Sequence, residues 1–100
     1  MKDVRVNPGQ EKNHPIVCVS TKKQIWPDLF TVENNRVTWI YEVETMSTVD
    51  IGSADQWKDY AECIKNAKFV LVVPKEKEND AKRILTNRNI PYANVETYPA

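Results

Sequence analysis

The chain has 100 residues, 41 % hydrophobic and 28 % charged, which is enough for one compact soluble domain and excludes a multidomain protein. Its 14 basic and 14 acidic residues cancel, which excludes binding to nucleic acid by global charge but not by a local basic face. No apolar run reaches the roughly 20 residues that cross a bilayer, and no signal-peptide core follows Met1, so we expect a cytoplasmic protein without a membrane partner.

The N-terminal part is polar and contains two prolines and a glycine. We therefore predict that residues 1–15 form an arm, or a short strand over residues 3–6 followed by a loop, and that they do not form a helix. Residues 16–20 form a short β-rich run, and residues 21–24 are predicted to turn.

A hairpin is predicted next, from a strand over residues 29–32 and a return strand over residues 37–44. The turn between them contains Asn34 and Asn35, and asparagine adopts left-handed backbone angles readily. The return strand is rich in β-branched and aromatic residues, as strands are.

A loop over residues 45–52 leads to a helix that is predicted to begin at Ser53 and to end near Asn66. Ser53 and Gln56 have the S-x-x-Q spacing of a capping box. One apolar stripe on this helix is formed by Trp57, Tyr60, Ala61 and Ile64.

The remaining chain predicts a strand, a helix and a strand. Residues 69–73 are apolar throughout, which indicates a central strand covered on both faces and ended by Pro74. A helix over residues 76–87 and an edge strand over residues 92–98 follow. The order β-β-β-α-β-α-β predicts an α/β fold, with a mixed sheet of four to five strands flanked by helices, in a single domain over residues 1–100.

The two cysteines, Cys18 and Cys63, form no CxxC motif and have no histidine at metal-ligand spacing. In an intracellular chain we expect them to be a reduced, buried pair.

Three acids form a candidate metal site. Glu42 and Glu44 share one face of their strand, roughly 7 Å apart, because side chains alternate along a strand. Asp28 precedes the partner strand and falls opposite Tyr41, or opposite Glu42 if the register shifts by one residue. Carboxylates brought together in this way suit Mg²⁺ or Mn²⁺.

The motif Pro27-Asp28, followed after about a dozen residues by Glu42-Val43-Glu44, resembles the PD…(D/E)-x-K signature of the restriction-endonuclease-like nucleases. The resemblance implies that Asp28 and Glu42 bind the metal. Glu44 stands where the superfamily usually has a lysine that activates water, although some of its restriction enzymes use glutamate there. A relocated positive charge could come from one of three lysines, Lys22, Lys23 or Lys58.

A second motif, Gln56 to Tyr60, resembles the Q-x-x-x-Y motif of the RecB-type branch, which lies on the helix after the same strand. The resemblance implies catalytic roles for Asp28, Glu42, Glu44, Gln56 and Tyr60, and metal binding by the three acids. The N-terminal core helix of the superfamily is missing. The chain would then be a fragment of a larger parent protein, a reduced domain, or a domain completed by a partner subunit such as a second copy.

Each candidate also has a structural interpretation. Glu42 and Glu44 could line a solvent-facing strand, and Asp28 could be a turn residue. Tyr60 could belong to the core, and Gln56 to the capping box. Trp26 and Trp39 are interpreted as packing residues, and the charged run over residues 75–82 as a solvated helix face.

The sequence therefore predicts a Mg²⁺-dependent enzyme that hydrolyses phosphodiester bonds in nucleic acid, with DNA as the expected partner. The first alternative is a nuclease-fold domain that has lost catalysis and binds nucleic acid or protein. The second is a small interaction domain of unrelated α/β fold, in which the acids are incidental.

Overall fold

The computed structural model describes residues 2–7 and 12–99. The predicted loop around Pro8 and Gly9 lies partly outside the described residues. The strands are β1 (Lys2–Val6), β2 (Ile16–Val17), β3 (Gln24–Ile25), β4 (Leu29–Glu33), β5 (Arg36–Val43), β6 (Lys68–Pro74) and β7 (Asn94–Tyr98). The helices are α1 (Ala54–Glu62) and α2 (Glu78–Asn87), preceded by the 3₁₀ turns Ile51–Ser53 and Lys75–Lys77.

A five-stranded mixed sheet has the order β1-β4-β5-β6-β7, and β2 pairs only with β3. The pairs β1/β4 and β4/β5 are antiparallel, whereas β5/β6 and β6/β7 are parallel. Each parallel pair is joined by a crossover through one helix, as parallel neighbours require. The prediction of a mixed α/β sheet of four to five strands is confirmed, including the edge position of β7; β1 forms the other edge.

Both helices pack on the same face of the sheet. Ile40, Phe69 and Leu71 share this face through the β5/β6 register. They belong to one buried cluster with Trp57 of α1 and Leu85 of α2. The predicted apolar stripe on α1 is confirmed, since Trp57 is fully buried and the other three members pack partly buried against this cluster.

The opposite face of the sheet is not covered by either helix. Val4, Val6 and Val43 lie on it and are 54 %, 44 % and 49 % exposed. On the same face the rings of Trp39 and Tyr41 are stacked, with centroids 6.2 Å apart. The prediction that β6 is central is confirmed; helices cover the face of Phe69 and Leu71, and Val70, on the opposite face, is fully buried as well.

The start of α1 differs from the predicted capping box. Ser53 has helical backbone angles and makes no side-chain cap hydrogen bond. Its hydroxyl donates instead to the Thr48 carbonyl at 2.7 Å, and the Gln56 amide donates to Glu42. The capping-box prediction is wrong because both side chains have tertiary or loop partners. The helix also ends at Glu62, earlier than the predicted Asn66.

The two cysteines form a disulfide, so the prediction of a reduced pair is wrong, although both residues are buried. The loop after β2 lies against the end of α1, where the Val19 N–H donates to the Cys63 carbonyl at 3.1 Å. This contact brings together the Cα atoms of Cys18 and Cys63, which are 45 residues apart in sequence and 4.4 Å apart in space. None of the described helices is both long enough and apolar enough to span a membrane.

Candidate metal-binding and catalytic site

A β-bulge in the hairpin decides which residues face each other at the candidate site. Near the turn, Val32 pairs with Val37, but Thr31 pairs with Trp39, so Thr38 is an extra residue in β5. Beyond the bulge the register continues to Leu29 opposite Tyr41. The next position places Asp28 beside Glu42, which is the shifted register of the two that the sequence allowed.

Asp28 and Glu42 are in direct contact. The Asp28 N–H donates to Glu42 Oε1 at 3.0 Å, and the Val43 N–H donates to Asp28 Oδ2 at 2.7 Å. The two carboxyl groups are close enough for each to affect the pKa of the other. The predicted Asp28–Glu42 pair is therefore brought together at the end of β5, with one carboxyl group held by the backbone of the other strand.

Helix α1 places Gln56 and Tyr60 next to this pair. The Gln56 side-chain amide donates to Glu42 Oε2 at 3.2 Å. Tyr60 lies one turn further along and hydrogen-bonds to the backbone of Trp26. Burial, followed by the negative charge of Glu42, raises the pKa of Tyr60 to about 12. The interpretations of Tyr60 as a core residue and as a site residue both agree with its half-buried position.

Burial governs the protonation of the carboxyl pair. Glu42 is only 5 % exposed. Burial first, and then repulsion by Asp28, raises the pKa of Glu42 to about 8. Burial also raises the pKa of Asp28. Burial therefore favours the protonated form of Glu42 in the folded protein.

No cation among the described residues compensates these acids. The groups that shift the pKa values of Asp28 and Glu42 are other acids and neutral hydrogen-bond donors. Of the three lysines that could replace the expected one, Lys23 pairs with Asp59 at 3.5 Å. The ion pairs of the described residues do not include Lys22 or Lys58 either.

Glu44 shares the face of Glu42 but has different partners. The buried indole N–H of Trp57 donates to Glu44 Oε1 at 2.9 Å, and the hydroxyl of Thr48 also bonds the carboxylate. The Tyr98 hydroxyl donates to the Glu44 carbonyl. Burial raises the pKa of Glu44, which makes it a stronger base than an exposed glutamate. Glu44 therefore lies beside the Asp28–Glu42 pair without joining its hydrogen bonds.

Asn7 supports the site and was not predicted from the sequence. Its side chain is 1 % exposed. The amide donates to the carbonyls of His14 at 2.9 Å and of Pro27 at 2.8 Å, and the Asn7 N–H donates to the Asp28 carbonyl at 3.0 Å. Asn7 thus holds the Pro27-Asp28 segment in place. In the sequence, the feature that could have indicated this role is an amide side chain directly after the strand predicted over residues 3–6.

Trp57 was predicted only as a core residue, and its bond to Glu44 was missed. Its position next to Gln56 gave no indication that the indole N–H would point at an acid 13 residues earlier in the chain. A buried indole generally needs an acceptor, so an acid on the facing strand was the one usable signal.

The carboxyl pair fits a hard divalent cation with few protein ligands. Within residues 2–7 and 12–99, no group of three or more His, Cys, Asp or Glu side chains is arranged to hold a metal ion. Mg²⁺ is usually held by only one or two carboxylates and fills its other positions with water and phosphate. Asp28 and Glu42 supply that donor set, whereas Glu44 is directed towards Trp57.

The fold and the site define an α/β domain with a buried carboxyl pair at the end of a sheet strand. No family model, no curated protein and no solved structure matches this chain. The resemblance to the PD-(D/E)XK superfamily therefore stays a prediction based on the motifs.

Proposed function

We propose that the protein is a metal-dependent nuclease that hydrolyses phosphodiester bonds in DNA. One observation carries the proposal. Asp28 and Glu42 touch at the end of β5, both are partly or fully buried, and no cation of residues 2–7 and 12–99 forms an ion pair with them. Such a pair is costly unless a proton or a cation neutralises it. In this proposal a divalent cation, held by Asp28 and Glu42, would take the place of the proton that burial favours on Glu42.

The residues of the site would have four roles. Asp28 and Glu42 would hold Mg²⁺ or Mn²⁺, and Gln56 and the Asp28 N–H would orient the Glu42 carboxylate. A bound Mg²⁺ would polarise the phosphate and lower the pKa of water. Glu44, with its raised pKa, would accept a proton from the attacking water. Tyr60 would remain protonated up to about pH 12 and could donate to a phosphate oxygen.

The test is cleavage of linear duplex and single-stranded DNA with Mg²⁺ or Mn²⁺ by the wild type, Asp28→Asn and Glu42→Gln. We expect both variants to lose at least about 100-fold in rate, because each removes one of two metal ligands. Glu62→Gln changes an exposed acid on α1, outside the carboxyl pair. It is the matched control and should cleave DNA at the wild-type rate. Cleavage that survives both site substitutions, or that does not need a divalent cation, contradicts the proposal.

A second candidate is a binding module that keeps the carboxyl pair without catalysis. It is favoured by one specific observation: Glu44 occupies the place of the expected lysine and is tied to Trp57. Calorimetry with Mn²⁺ separates the two, because the nuclease requires binding that is lost in Asp28→Asn. The unrelated-domain alternative required the acids to point apart, and the contact between Asp28 and Glu42 counts against it.

A cytoplasmic location belongs to the same proposal. The disulfide between Cys18 and Cys63 counts against it, because cytosolic thiols are generally kept reduced. A homodimer belongs to the same proposal and is supported by the sheet face that neither helix covers, where Val4, Val6 and Val43 are exposed.

A further inference from the structure

A groove lies at the other end of the hairpin from the carboxyl pair, and we call it the hairpin groove. Its volume is about 810 Å³. The walls come from the β4/β5 turn, from the segment that enters β2, and from the end of α1. The residues used below are Arg5, Val17, Val32, Arg36, Val37 and Lys65.

The charge of the hairpin groove has one sign. Among the described residues that line it, the charged ones are Arg5, Arg36 and Lys65, and none is an acid. Arg5 is bonded to the exposed Asp3 at 3.0 Å, whereas Arg36 and Lys65 form none of the ion pairs among the described residues. The chain as a whole is neutral. The described charged residues of the groove lining are therefore basic, and the Asp28–Glu42 pair lies at the other end of the hairpin.

The floor of the groove is apolar. Val32 and Val37 form a register pair across the hairpin, and Val17, at the rim, is 53 % exposed. An apolar floor with a cationic rim matches a ligand that combines flat apolar groups with regularly spaced anions. An unpaired nucleic-acid strand has both, because its bases are free to lie on the floor while its phosphates contact the cations. In a duplex the bases are stacked inside and cannot reach such a floor.

We propose that the hairpin groove anchors single-stranded nucleic acid through Arg36 and Lys65. The proposal rests on the proposed nuclease function, since it names the form of the substrate and a second place where it is held. The groove is not the reacting site, because Val32 and Asp28 are four residues apart along the chain, which is about 13 Å. A strand bound there would be held at a distance from the carboxyl pair.

The experiment measures binding of a fluorescein-labelled oligo-dT by anisotropy, in EDTA, over a series of salt concentrations. Arg36→Gln/Lys65→Gln should bind about 10-fold more weakly than the wild type. The salt slope should fall by about 1.4, since each phosphate contact on a single strand contributes about 0.7. Lys82→Gln/Arg83→Gln on α2 removes the same charge elsewhere and should bind within about twofold of the wild type.

Competitors identify the occupant. Unlabelled oligo-dT should displace the probe, whereas a duplex or inorganic polyphosphate should compete much less well. Equal losses in the two double variants, or no oligo-dT binding by the wild type, overturn the proposal. Polyphosphate or duplex that competes as well as oligo-dT overturns the assignment to an unpaired strand.

The two proposals fail separately because this binding is measured without metal. Binding that needs Arg36 and Lys65, in a protein that cleaves nothing, refutes the nuclease and keeps the groove. If cleavage needs Asp28 but Arg36→Gln/Lys65→Gln binds oligo-dT as tightly as the wild type, the groove proposal is refuted and the nuclease proposal stands.

Discussion

Burial, hydrogen bonds and neighbouring charges all act on the carboxyl group of Glu42. Its carboxyl group accepts from the Asp28 N–H and from the Gln56 amide, so its position is set by two elements at once. Both donors favour the charged form, but burial and the nearby acids outweigh them and raise the pKa of Glu42 to about 8. The folded protein therefore favours a protonated Glu42, and a metal ion would have to displace that proton.

The pH dependence of stability follows from this shift. Because the pKa of Glu42 is higher in the folded state, its contribution is fully present below the unfolded value of about 4.5 and is lost as pH rises through about 8. The wild type should lose on the order of 4 kcal/mol of unfolding free energy between about pH 5 and about pH 9. Glu42→Gln should remove most of this loss. Urea unfolding at several pH values measures it.

Burial also raises the pKa values of Asp28 and Glu44. The unfolding free energy of Glu42→Gln should therefore still fall as pH rises, but by less than that of the wild type. Glu62→Gln, which changes an exposed acid, serves as the control and should follow the wild type. Identical pH profiles for the wild type and Glu42→Gln would contradict the burial of an uncompensated acid.

At the scale of the elements, the bulge in the β4/β5 hairpin creates the site. Without Thr38 as the extra residue, Asp28 would face Tyr41, and the carboxyl pair would not form. The bulge is stabilised by a hydrogen bond between the hydroxyls of Thr31 and Thr38 at 2.7 Å. Thr31 is itself buried, at 3 % exposed. Bulges of this kind re-aim side chains next to functional sites.

Thr31→Val tests the bulge. The substitution removes the hydroxyl pair but keeps the shape of the side chain, and it should cost about 1 kcal/mol of unfolding free energy. A loosened bulge should also speed hydrogen exchange of the Val43 N–H, which donates to Asp28. Thr86→Val, at an exposed position on α2, is the control. Unchanged exchange at Val43 together with unchanged stability would show that the hydroxyl pair does not hold the register.

At the scale of the whole molecule, both helices lie on one face of the sheet and leave the other face open. The two crossovers β5-α1-β6 and β6-α2-β7 move across the sheet in the same direction, so crossovers of the usual right hand place both helices on the same side. The single core between helices and sheet is then closed at one end by the disulfide, which ties the β2–β3 segment to α1.

Reduction of the disulfide should lower the unfolding free energy by about 4 kcal/mol, because the bond closes a loop of 45 residues in the unfolded chain. Urea unfolding with and without a thiol reductant measures the effect. The double variant Cys18→Ser/Cys63→Ser should show a similar loss and no response to the reductant. An unfolding free energy of the wild type that does not change with reductant would contradict the disulfide and support the prediction of a reduced pair.

Much of the element order was predictable because it depends on local patterns. Alternation placed Glu42 and Glu44 on one face of β5, the apolar stripe gave the buried side of α1, and the uninterrupted apolar run gave the central strand β6. These features need only the period of side chains along a strand or a helix.

The sequence by itself determined the mixed sheet, its helices and the presence of three acids near one strand end. Only the tertiary structure decided that Asp28 meets Glu42, that Glu44 turns to Trp57, and that Cys18 reaches Cys63. The physical reason is the same in each case. A bulge, a buried hydrogen bond and a disulfide each depend on residues far apart in the chain, and no local periodicity reports which distant groups will meet.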